Sequence, residues 1–170
     1  MTNDSLLVDL PECAVSAHES VMFVHFRENA TGKTLRALRV ASQKYAATRP
    51  NGIIHVNLVK PSESSTAVPE DVRDELLALL RDPTMALRAS AVVYPGGGFV
   101  GAMIRSLLAG LVLLAKTPTA VRVFGDLAEC ETWVQAMGQK HRVRVPANGE
   151  VVRRMKALCA IGPVPLEMAR

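Results

Sequence analysis

The chain predicts an α/β domain built on a mixed, mostly parallel sheet, and three observations carry that prediction. Short runs rich in branched apolar residues, such as Ile-Ile-His-Val-Asn-Leu-Val at 53–59, have strand propensity. Between them lie segments whose apolar residues recur at helical spacing, as Leu35, Leu38, Val40, Ala41 and Tyr45 do. The two kinds alternate after an opening pair of strands, in the order β-β-α-β-α-β-α-β-α. Alternation of this kind puts parallel strands in the sheet and packs helices on it, and the opening hairpin adds an antiparallel strand.

Taken in order, residues 4–10 read as a short strand or an ordered arm. Residues 13–19 alternate weakly, and 21–26 is a strong strand run; a turn near Glu19 and Ser20 joins them as a hairpin. Thr31 or Thr34 can cap the first helix, which Arg49-Pro-Asn-Gly52 stops. The near-continuous apolar run at 53–59 suits a central strand covered on both faces. A polar loop follows. Pro69 falls in the first turn of the next helix, with Glu70 and Asp71 where the helix dipole favours acids; Val72, Leu76, Leu77, Leu79 and Leu80 are its buried stripe. Residues 87–94 form the next strand, running into Gly96, Gly97 and Gly98 and then an almost wholly apolar helix at 99–115. So greasy a helix is expected to be covered on nearly every side. Residues 120–124 form a last parallel strand. Asp126 caps a helix over 127–137 that Gly138 closes. Residues 13–138 are thus read as the α/β domain. Residues 139–170 are read as a basic C-terminal extension, with an edge strand at 141–145 and an amphipathic helix at 150–160.

Composition narrows the function classes. The hydrophobic fraction of 49% excludes a disordered chain, and with 4% aromatics the core has to be aliphatic. The net charge is +4, and much of the excess sits in Lys140, His141, Arg142, Arg144, Arg153, Arg154 and Lys156. No aromatic residues accompany those cations for base stacking, so nucleic acid is not an expected partner. Cys13, Cys130 and Cys159 are odd in number and scattered, which argues against a disulfide framework or a structural zinc site. The start, Met-Thr-Asn-Asp-Ser, lacks the basic stretch and long apolar core of a secretion signal, and the expected location is cytoplasmic. Arg105 interrupts the apolar run at 99–115, leaving too short a stretch to span a bilayer.

The text Val-Arg-Val-Phe-Gly-Asp-Leu-Ala-Glu-Cys-Glu-Thr-Trp at 121–133 supplies a strand, a Phe, a short turn, an acidic helix start and a Trp. With the order of elements over residues 13–137, it resembles the closing pattern of the STAS-like superfamily, the fold of anti-sigma-factor antagonists and their divergent relatives. The resemblance implies a STAS-like sheet and a regulatory role through protein contacts. In signalling members a Ser in an Asp-Ser-Ser-Gly turn after the strand matching 53–59 accepts phosphate. Here that place reads Lys60-Pro-Ser-Glu-Ser-Ser-Thr66, so Ser64 and Ser65 are the candidate phosphoacceptors, without the flanking Asp and Gly.

Other stretches point to chemistry on their own residues. Thr31-Gly32-Lys33-Thr34 ends like a phosphate-binding loop, yet Arg27 stands where that loop needs its first glycine, so a helix start is the plainer reading. Gly96, Gly97 and Gly98, lying before a helix with Arg105 two turns in, are the better anion-binding candidates; a tight strand-to-helix turn requires the same residues. His18, His25 and His55 lie in or near strands that could be neighbours, but alternation can send them to opposite faces, and no metal is expected. Trp133, Met103 and Met137 read as core or interface residues. The expected role is a noncatalytic regulatory or protein-interaction module that self-associates as a homodimer through 99–115. The alternative is a small-ligand or anion-binding protein using the Gly96–Gly98 turn. An enzyme handling phosphates through Lys33 or Arg105 comes third. No cofactor is expected.

Overall fold

The computed structural model describes residues 6–60, 68–98 and 116–162, together with Ala102, Ser106, Ala109, Gly110 and Leu113. Six strands form one sheet: β1 (Leu6–Leu10), β2 (Cys13–His18), β3 (Val21–Phe26), β4 (Ile53–Val59), β5 (Leu87–Val93) and β6 (Ala120–Phe124). They lie side by side in chain order. The pairs β1–β2 and β2–β3 are antiparallel, and the pairs from β3 to β6 are parallel. The fold class expected from the sequence is the one observed. The first segment, ambiguous between strand and arm, is a paired strand.

Side-chain alternation divides the core in two. On one face Cys13, Val15, Met22, Val24, Phe26 and Ile53 pack against α1 (Gly32–Ala46) and α2 (Glu70–Arg81). On the other face Ala14, Val21, Phe23, Ile54, Val56 and Ala91 pack against α3 (Leu127–His141) and α4 (Glu150–Ala160). Sequential parallel strands step in one direction, and right-handed crossovers then place their connecting helices on a single face. That leaves the opposite face to the helices after β6. The basic helix α4 is accordingly core structure: Val151, Met155 and Leu158 are buried there.

The helix starts follow local chemistry. Thr31 caps α1 with a reciprocal box, its hydroxyl accepting from the Thr34 amide while the Thr34 hydroxyl accepts from the Thr31 amide. Asp126 accepts from the amides of Ala128 and Glu129 to start α3. Pro69 stands at the cap position of α2, just before its first turn, where Glu70 and Asp71 follow.

Three expectations need correction. Gly138 does not end α3, which runs on to His141 with Arg142 as its left-handed cap at φ 54°. Gly138 is buried within the helix, and a Cβ there would come within 2.8 Å of both Val145 methyls. The helix needs glycine for the close return of the chain, not for a stop. The edge strand expected at 141–145 is absent: residues 143–147 have no regular structure. The Arg144 carbonyl instead accepts from the Ser20 amide at 3.1 Å, which pins the segment across the end of the hairpin. The run at 99–115, expected to be covered on nearly every side, is not so covered at its described residues. Ala102, Ser106 and Ala109 are helical and exposed, and Leu113, on the same face, is 79% exposed. Three of these four are small, so their exposure leaves little apolar surface in water.

Candidate functional site

Most chemistry-bearing side chains singled out in the sequence are engaged inside the fold. The Thr31-Gly32-Lys33-Thr34 stretch is a helix start whose Gly32 amide donates to Asp71 Oδ2 at 3.0 Å. A Cβ on Gly32 would sit 2.9 Å from that oxygen. The positive end of α1 therefore already holds a carboxylate from α2, where a phosphate would have to lie. Lys33 is exposed and faces elsewhere in the structure, along the outer side of α1.

The three histidines do not meet. His55 lies on the α1 face of β4, 1% exposed, with Nε2 3.1 Å from Ser42 Oγ. Ser42 donates its own proton to the Leu38 carbonyl at 2.7 Å, so its oxygen accepts the imidazole N–H. Burial holds the His55 pKa down at about 4, so the ring is neutral. His25 and His18 point to the opposite face, by their place in β3 and β2. Burial, then Arg27 and Lys60, lower the His25 pKa. Among the described residues no three His, Cys, Asp or Glu side chains gather at one point. Burial also pushes the Cys13 thiol up to about 11 and Cys130 up to about 12, which keeps both protonated and poor nucleophiles.

Arg27 is a clamp. It donates to Asp9 Oδ1 at 2.9 Å, to the Leu10 carbonyl at 2.6 Å and to the Ile161 carbonyl at 3.0 Å, and so ties β1 and the end of α4 to β3. Gly96 packs on the ring of Tyr94, which a Cβ there would strike. Gly97 and Gly98 are exposed with open space around them, and Gly98 has φ +67°. Arg105, Ser64 and Ser65 lie outside the described residues.

Among the described residues, a groove of about 440 Å³ lies open between β1 and α1. Leu7 and Val8 line one wall; Lys33, Arg36, Ala37, Val40, Ala41 and Lys44 line the other. The pairing of β1 with β2 slips between Leu6 and Val8. That bulge breaks strict alternation, and consecutive residues Leu7 and Val8 both reach the groove. Helix α1 buries Leu35, Leu38, Ser42 and Ala46 against the sheet. Lys33, Ala37, Val40 and Lys44 recur on its outer side. Val40, whose spacing groups it with Leu35 and Leu38, is 45% exposed at the middle of this surface. Its apolar recurrence was visible in the sequence, but the helix phase turns it away from Leu35 and Leu38.

The groove is electropositive. Arg36 is neutralised by Glu75, to which it donates through Nε at 2.9 Å and Nη2 at 2.7 Å, and Arg39 adds a longer contact to the same carboxylate. Among the described residues Lys33 and Lys44 have no ion-pair partner. They stand eleven residue steps apart in the helix, which at 1.5 Å per step places the two side-chain stems about 16 Å apart along α1. An apolar floor thus lies between two exposed cations, at the edge of the sheet.

No protein-family model, curated protein or solved structure matches this chain.

Proposed function

We propose that this chain is a noncatalytic regulatory and protein-interaction module of STAS-like build that works in the cytoplasm and holds partner proteins on the groove between β1 and α1. The observation that carries the reading is Val40: a branched apolar side chain 45% exposed on the floor of a groove, flanked by exposed lysines. Apolar surface gathered in a concave strip marks contacts more often than isolated apolar residues do. The engaged state of His55, Asp71 and Arg27 also supports binding over chemistry, since their hydrogen-bonding groups serve the fold. An N-terminal hairpin followed by parallel strand–helix units supports the STAS-like assignment. So does the contact of Phe124 with Trp133, their ring centroids 5.5 Å apart. Three free cysteines, two of them buried, support the cytoplasmic setting.

Selection from a random peptide display library tests the reading. Wild type enriches peptides that the Val40→Asp variant no longer retains, while both proteins melt at the same temperature. Enriched peptides that bind the variant equally well would remove the groove from the function.

Self-association through residues 99–115 is the second reading, favoured by Leu113 with 79% exposure. Light scattering over a range of concentrations tests it; a monomer throughout rules it out.

A further inference from the structure

We infer that the occupant of the β1–α1 groove is an extended segment of another protein, apolar in its centre and carrying carboxylates at both ends. The inference rests on the interaction reading above and adds the chemistry of the partner. Its basis is the juxtaposition of Leu7, Val8, Ala37 and Val40 with two exposed lysines, Lys33 at one end and Lys44 at the other.

Geometry sets the length. The lysines stand about 16 Å apart along the helix. An extended chain rises about 3.3 Å per residue, so about five residues span the distance. Strand β1 alongside is itself five residues long. It is the terminal strand of the sheet, with β2 as its described neighbour. Its pairing is regular from Val8 to Leu10, and the slip is confined to the start. An extended segment laid in the groove therefore runs beside a strand edge, where added strands gain main-chain bonds and alternate side chains reach pockets. Its inward residues meet Val40 and Ala37, and its ends meet Lys33 and Lys44.

Charge selects the occupant. Arg36 is already matched by Glu75, so the groove's unmatched charge among the described residues is Lys33 and Lys44. A second copy docked groove to groove across a two-fold axis would set these lysines against the same cations of its mate. Like charges at close range oppose that pairing. An acidic, apolar-centred segment meets both the floor and the rim.

The test is fluorescence anisotropy on the full chain with two labelled peptides. One is Asp-Asp-Val-Thr-Val-Glu-Asp; the other carries Lys in place of each acid. The acidic peptide binds wild type at least about tenfold more tightly than the basic one. In the double variant Lys33→Glu with Lys44→Glu the preference reverses. Both sites are exposed, so circular dichroism melts of wild type and variant coincide. Equal binding of the two peptides, an unchanged preference in the double variant, or no binding of the acidic peptide at about 1 mM each overturns the inference. Wild-type dimers that Val40→Asp converts to monomers overturn it too, because a second copy then fills the groove. Peptides from the display selection that depend on Val40 but lack acids also overturn it, and they leave the interaction reading standing.

Discussion

His55 is the residue whose position has the clearest measurable consequence. It is wholly buried and neutral, with its pKa at about 4 against an ordinary 6.5. Between those values the unfolded chain binds a proton that the folded chain does not. Stability contributed by the neutral ring is therefore complete above about pH 6.5 and declines as pH falls toward 4. The decline over the whole window is about 3 kcal/mol, of which about 2 kcal/mol falls between pH 6.5 and 5. Urea unfolding of wild type and His55→Asn across that range checks the sign. Wild type loses stability on acidification with the extra slope, and the variant lacks it; parallel curves would mean that the ring is protonated in the fold. Nothing in the sequence distinguished this histidine from His25, since both sit in strands. Its role depends on Ser42, thirteen residues away, which the chain brings over β4 only by folding α1 back.

At the scale of elements, the helices were legible where periodicity and capping agreed. Thr31 and Asp126 start their helices as the residue types dictate, and the branched runs at 53–59 and 87–93 are strands. Glycine was the weaker guide. Gly138 reads as a stop, but it lies inside α3, where Val145 and the Val143 carbonyl approach too closely for a side chain. Gly138→Ala gains about 1 kcal/mol of helix propensity and loses more to the clash with two valine methyls, so a net destabilisation of about 1 kcal/mol is expected. Chemical denaturation measures it; a more stable variant would show that the segment 143–147 yields without cost. The groove was hidden for a related reason. The spacing of Val40 and Ala41 predicts one apolar face with Leu35 and Leu38, but the sheet covers only part of so wide a stripe. Residues 4–10 gave too little pattern to place β1, and the bulge that turns Leu7 and Val8 to the same side leaves no mark in composition.

The whole molecule is a sheet with an apolar cluster on each face, and that division explains where function can reside. Alternation along β2, β3 and β4 supplies both clusters at once, so the fold class followed from strand order and branched runs alone. The basic stretch near the C-terminus did not show its place, because cations at Arg153 and Arg154 mask the buried row Val151, Met155 and Leu158; Glu150 holds both arginines, at 2.6 Å and 3.2 Å. With apolar clusters packed on both sheet faces and the histidines dispersed, the surface between β1 and α1 is a place where apolar area and unmatched charge coincide among the described residues. Backbone amide NMR of the labelled full chain, titrated with display-selected peptides, tests that assignment most directly. The shifts should gather on Leu7, Val8, Ala37, Val40 and Lys44. Shifts gathered instead at Gly96, Gly97 and Gly98, with β1 and α1 unmoved, would contradict it.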